Sequence, residues 1–199
     1  MSAPRPTWFR PMTLALGLLF GLLAVVVPSI PEPYRPWNFA VFGAVGLFLG
    51  ARAGLLPGLA VSLLAKVAFD LLNYHGHGGD ADYLPSPIVY VSFAFYPLIG
   101  LLLKRTENPL AVVAAAAAGG VPFFLLTNFS AWVGQAMPYP MTVAGLLDCY
   151  TQAVPFHRPT LAGDLLFSVT LFAAHAVLSR TLFPAEQVET VSEAEANPV

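Results

Sequence analysis

Charge is what this chain has least of. Lysine and arginine number 9 and aspartate and glutamate 11 in 199 residues, 10% together, where soluble domains carry about a quarter. That shortage excludes an ordinary soluble domain, and a 57% hydrophobic composition with a mean hydropathy of +0.69 places the chain in a bilayer. A net charge of −2 leaves no basic surface for nucleic acid. The single cysteine, Cys149, excludes an internal disulfide and every two-cysteine metal or redox motif. Also missing are a G-x-S-x-G elbow, an H-E-x-x-H helix, a P-loop and a dinucleotide fingerprint. Neither enzymatic activity nor a cofactor is expected.

What the chain has is apolar runs. A helix needs about 20 residues to cross the hydrocarbon core, and six stretches bounded by Pro, Gly or charge approach that length: 12–30, 37–52, 54–73, 86–103, 109–133 and 160–183. The first follows Arg5 and Arg10 but lacks a small-x-small cleavage site, so it reads as an uncleaved helix. The expected architecture is all-α, a six-transmembrane-helix domain over residues 12–183. Residues 141–154, bracketed by Pro138, Pro140 and Pro155, are too short and polar to span, and predict a short extra helix at the membrane surface before the last span. Residues 1–11 read as an N-terminal tail, and residues 184–199 as a disordered acidic tail.

Orientation follows from the basic residues. With the N-terminus cytoplasmic, Arg5, Arg10, Arg52, Lys104, Arg105 and Arg180 lie inside and only Arg35 and Arg158 outside. A multi-pass protein of the cell membrane with both termini cytoplasmic is expected, its longer connections (31–36, 74–85, 134–159) facing outward. Glycines recur at four-residue spacing at Gly46, Gly50, Gly54 and Gly58, which suits close helix packing. Gly17, Gly21 and Ala24 on the first helix are expected to face outward as a docking surface for a membrane partner.

The stretch "LLAKVAFDLLN" puts Lys66 and Asp70 on one helical face. A charge at a helix centre costs about 2.5–3.5 kcal/mol on insertion scales, so such residues are functional candidates. Asn73 follows on the same helix, and the other helices bring polar or aromatic groups to the same outer level: Asn38, Tyr90, Thr127, Asn128 and Asp164, with Trp37, Phe129, Trp132 and Tyr150 as aromatic lining. Together they predict a ligand pocket under the outer loops. Lys66 reads either as its floor or as a counter-charge to Asp70. Asp164 near the start of the last span is equally suited to the helix dipole, and His175 lies deep in that helix. His75, His77, Asp80 and Asp82 have a spacing permissive for metal, but their glycine-rich loop is flexible and no metal site is expected. His157 and Arg158 are candidates to clamp an anion at the entrance. An intramembrane hydrolase using Asp70 and Asp164, or an assembly or structural factor, is the alternative to ligand binding.

"RPWNFA" (35–40), "SLLAKVAFD" (62–70), "VYVSFAFYPLIG" (89–100), "LLTNFSAWV" (125–133) and above all "YPMTVAGLLDCYTQAVPFHRPTLAGDLLF" (139–167) resemble a family of small bacterial inner-membrane proteins without assigned function. Its members are similar to the substrate-binding S components of energy-coupling factor transporters. The resemblance implies a six-helix fold that binds a vitamin-like molecule, a precursor or a metal ion at the outer face. It also implies docking, largely through the first helix, onto a transmembrane coupling protein driven by ATPase subunits. The motif positions are Asn38, Asp70, Asn128, Asp148, Cys149, Tyr150 and Asp164. The chain departs from the pattern at His157, Arg158 and Pro159, where an aromatic and Asn are usual, and at Ser2, where the nickel and cobalt branch has histidine.

Overall fold

The computed structural model describes residues 10–30, 34, 36, 38–81 and 84–183, and among them every regular element is helical. The helices are α1 (Pro11–Val26), α2 (Phe42–Arg52), α3 (Leu55–Gly76), α4 (Pro87–Phe93), α5 (Phe95–Gly100), α6 (Pro109–Val133) and α7 (Val143–Thr181). Their starts follow local chemistry. Prolines open α1, α4 and α6, where a missing N–H costs nothing. Asn108 caps α6 by accepting from the Leu110 N–H at 2.9 Å, and Thr142 caps α7 by accepting from Gly145 at 3.1 Å.

Four helical stretches are long and apolar enough to cross a membrane: Pro11–Ser29, Leu55–Gly76, Pro109–Val133 and Val143–Thr181. Shorter apolar helical stretches cover Phe42–Arg52 and Pro87–Leu103. Leucines on the bundle's outside, Leu18, Leu22, Leu56, Leu64, Leu102 and Leu110, are each exposed by more than half. Lipid is the surrounding that such a surface requires.

The innermost element is the shortest of these. All 11 residues of α2 are buried, which at a rise of 1.5 Å makes a rod of only about 16 Å enclosed by its neighbours. Backbone contact makes this possible: a Cβ on Gly50 would strike the Pro97 main chain, one on Gly58 would come within 2.7 Å of Pro97 Cβ, and one on Gly100 would strike the Leu47 carbonyl. Thus α2, α3 and α5 meet around Pro97. Gly54, at φ 102°, makes the tight turn from α2 into α3.

Several contacts collect at one end of the bundle. Thr13 Oγ1 lies 3.2 Å from His175 Nε2, and Arg180 pairs with Glu107 at 2.9 Å. Arg52, buried at the end of α2, donates to the Leu103 and Thr106 carbonyls at 2.7 and 2.8 Å and lies over the Phe172 ring at 4.8 Å. The start of α1 and the end of α7 therefore share an end.

The structure departs from the expected elements in four places. The second apolar stretch is helical only from Phe42, because Asn38 takes φ 60°, a conformation Asn tolerates, and its backbone is tied to α7 instead. The fourth stretch breaks at Ala94, and Pro97 removes the N–H that would have paired with the Phe93 carbonyl. The expected short extra helix at 141–154 and the last span are a single helix, α7, of 39 residues and about 58 Å. Pro155 and Pro159 lie inside it, and its first turns are fastened to α6, where Cys149 Sγ donates to the Asn128 carbonyl at 3.6 Å and Tyr150 Oη to the Leu125 carbonyl at 2.9 Å. Such support lets a membrane helix keep internal prolines.

The fourth departure concerns the docking face. Gly17, Gly21 and Ala24 point into the bundle, not outward: a Cβ on Gly17 would sit 2.5 Å from Leu49, one on Gly21 3.0 Å from Val61, and Ala24 is fully buried. Their small size serves packing of α1 on α2 and α3. The outward residues of α1 are large, with Leu18, Leu19 and Leu22 exposed. Of the two tails, residues 1–9 and 184–199 lie outside the described residues.

Candidate functional site

A partly open cavity of about 540 Å³ lies toward the end of the bundle opposite Arg52 and Thr13. Among the described residues its walls come from the segment before α2 (Asn38, Phe39, Ala40), the later half of α3 (Lys66, Phe69, Asn73), the end of α4 (Phe93), the later half of α6 (Phe123, Phe124, Thr127, Asn128) and α7 (Ala153, Phe156, His157, Thr160), with Pro28, Phe42 and Met137 beside them. The volume is within the usual range for small-molecule sites.

Prolines shape the cavity. Pro122 precedes the Phe123–Phe124 wall, and Pro155 and Pro159 interrupt hydrogen bonding of α7 where it lines the space, so the Ala118, Thr151 and Pro155 carbonyls lose their helical N–H partners. The segment before α2 crosses this stretch. Asn38 Nδ2 donates to the Phe156 carbonyl at 3.3 Å, and Thr160 Oγ1 donates to the Asn38 carbonyl at 3.0 Å. A Cβ on Gly163 would strike the Ala40 carbonyl, so glycine is needed for this approach.

Lys66 Nζ pairs with Asp70 Oδ1, and the lysine side chain lines the cavity. The second oxygen of Asp70 accepts from Tyr90 Oη at 2.8 Å. The ammonium also lies 5.8 Å from the Phe42 ring centre and 5.7 Å from those of Phe69 and Tyr90, within cation–π range. Asp70 itself is 3% exposed and stands behind Lys66, so it positions the lysine instead of opening on the cavity.

A second tyrosine–aspartate pair lies next to the cavity. Tyr96 Oη donates to Asp164 Oδ2 at 2.5 Å, both groups being buried. Tyr96 stacks on Phe93, with 6.0 Å between ring centres, and Phe93 belongs to the wall. Gly43, Gly119 and Gly120 make room: a Cβ on Gly43 would strike Asp164 and the Tyr96 ring, one on Gly119 would strike that ring, and one on Gly120 would sit 3.4 Å from the His157 ring. Tyr90 and Tyr96 thus fasten the broken fourth stretch to α3 on one side and α7 on the other.

Of the expected ligand-binding residues, Asn38, Lys66, Asn73 and Asn128 line the cavity, as does Thr127. Asp70, Tyr90 and Asp164 support it from behind. Trp132 and Tyr150 do not line it: Trp132 Nε1 donates to the Pro140 carbonyl at 2.9 Å, and Tyr150, bonded to Leu125, packs its ring on Phe124. Phe129 packs against Trp132, its ring centre 5.8 Å away. Trp37 and Asp82 lie outside the described residues. His77 Nδ1 lies 2.8 Å from the Asn73 carbonyl, and the His75 ring packs on Tyr74. His157 lines the cavity while Arg158 is exposed. His175 meets Thr13 far from the cavity.

Sequence reasoning missed Tyr96 and the seven phenylalanines of the wall: Phe39, Phe42, Phe69, Phe93, Phe123, Phe124 and Phe156. Tyr96 carried a readable signal, since a phenol inside an apolar run needs a hydrogen-bond partner and Asp164 was the acid available. The phenylalanines carried none, because a ring toward lipid and a ring toward a cavity look alike in one sequence.

Residues 7–188 match the model of a family of unknown function, DUF6580, and the chain belongs to that family. Comparison with curated proteins and with solved structures finds no match.

Proposed function

We propose that this DUF6580 protein is a membrane-embedded small-molecule-binding subunit for uptake, similar to the S components of energy-coupling factor transporters, with its ligand site at the outer face. The observation that carries this reading is the phenylalanine-walled cavity, to which α3, α6, α7 and the segment before α2 each bring polar side chains. Convergent polar groups in an apolar concavity are the usual form of a ligand site. Irregular backbone at that level suits the same purpose, since non-helical or proline-interrupted chain is tolerated in a bilayer where it lines a cavity.

In this reading the chain crosses the bilayer six times. The second pass combines the extended segment before α2 with α2, and the fourth is the interrupted helix of α4 and α5. The cavity then faces outward and both termini lie in the cytoplasm, as the basic residues imply. Binding is favoured over intramembrane hydrolysis because neither carboxylate is free to act with the other: Asp70 is held by Lys66 and Tyr90, and Asp164 by Tyr96. A coupling protein docked on α1 would meet Leu18, Leu19 and Leu22, the residues exposed there.

The test is to isolate the protein from its native membrane and identify extracted small molecules by mass spectrometry, beside Asn73→Leu. Asn73 lines the cavity and is only half-buried, so its loss should lower ligand occupancy while the bundle stays folded. An unliganded wild-type protein from several growth conditions, or a variant carrying the same molecule at full occupancy, would count against the proposal.

A further inference from the structure

We infer that the cavity selects an uncharged, flat ring compound with a carbonyl and an N–H on one edge, as in a carboxamide or a lactam. This rests on the binding reading above and adds the class of ligand to it. Three features of the wall lead there.

The first is charge. Among the described residues Lys66 is the lining residue with a formal charge, and Asp70 cancels it from behind. An anionic ligand would share the ammonium with Asp70 and leave one negative charge uncompensated among phenylalanines. A cation would meet the ammonium itself. Either carries the cost of an uncompensated buried charge, and a neutral molecule carries neither.

The second is the unused hydrogen-bonding capacity. Asn38 Nδ2 and Asn128 Nδ2 each rest on a main-chain carbonyl, of Phe156 and Phe124, at 3.3 and 2.8 Å. A carbonyl can only accept, so the orientation of both amides is fixed and their Oδ1 atoms remain as acceptors. An ammonium has three N–H groups, and Lys66 directs one to Asp70. Lys66, Asn38 and Asn128 therefore give the wall both donors and acceptors, the complement of an amide edge.

The third is shape. Rings from α3, α4, α6 and α7 surround the space, and aromatic side chains favour stacked or edge-on contact with another ring.

The experiment titrates the purified full chain with three probes of one shape: naphthamide (neutral), naphthoate (anionic) and naphthylmethylammonium (cationic), by equilibrium dialysis. Naphthamide should bind more tightly than either ion by about tenfold or more. Lys66→Met, which leaves Asp70 without its counter-charge, should reverse the order in favour of the cation. Equal or tighter binding of either ion to the wild type, or no measurable binding of naphthamide, overturns the inference. Ala153→Phe, which fills the cavity, separates the two levels. If it abolishes binding while the ions bind as well as the amide, the class is wrong and the cavity stands; if naphthamide binding is unchanged, the cavity reading falls as well.

Discussion

Tyr96 and Asp164, 68 residues apart, are joined by a 2.5 Å hydrogen bond between α5 and α7, with the phenol 1% and the carboxyl 2% exposed. The bond is the deeper of two tyrosine–aspartate links that hold the interrupted fourth stretch in place. Tyr96→Phe removes the donor and leaves a buried carboxyl without it, at a cost of about 1–3 kcal/mol. Thermal unfolding in detergent should show that loss for Tyr96→Phe. Combined with Asp164→Leu, the loss should be smaller than the sum of the single effects, since both ends of one bond are then removed. Strict additivity would mean that the bond contributes nothing.

Lys66 and Asp70 predict a similar asymmetry at the cavity. Asp70→Ala strands a buried ammonium and should destabilise by about 3–5 kcal/mol. Lys66→Met with Asp70→Leu, an apolar pair of similar volume, should recover most of that stability. Equal unfolding temperatures for the single and double variants would refute the idea that Asp70 acts chiefly by holding Lys66.

Glycine substitutions test the backbone packing of α2. Gly43→Ala would press a methyl group into Asp164 and Tyr96, and overpacking of this kind costs about 1–3 kcal/mol. Gly76→Ala, where nothing lies within 4 Å, should be neutral or stabilising by up to about 1 kcal/mol from helix propensity. The two variants should move the unfolding temperature in different directions or by clearly different amounts.

The proposed cytoplasmic placement of the C-terminal end is checked by fusions. Green fluorescent protein after Phe183 should fluoresce and alkaline phosphatase there should be inactive. The opposite pattern would invert the orientation and put the cavity on the cytoplasmic side.

These outcomes also mark what one sequence can and cannot convey. The helix content and the level of Lys66, Asn73 and Asn128 were legible, because hydropathy and helical rise depend on local residues alone. Direction around a helix was not. Gly17, Gly21 and Ala24 form a small-residue stripe whether they face a partner or their own bundle, and here Leu49 and Val61 fill the space above the two glycines. Pro155 suggested a boundary where α7 continues, because the partners that hold its first turns, the Leu125 and Asn128 carbonyls, lie on another helix. Trp132 and Tyr150 were at the right depth and pointed elsewhere. Tyr96 was legible in principle, since a buried phenol needs a partner, and it was the partner's position on α7 that one sequence did not convey.

The central claim is that the cavity beside Lys66 holds one small molecule, and native mass spectrometry of protein released from its own membrane tests it most directly. The wild type should carry a single bound species at a ratio of one to one. Ala153→Phe, which fills the cavity, should lose it, while Ala173→Phe, on the exposed face of the same helix, should keep it. Retention of the species by Ala153→Phe at full occupancy would contradict the account.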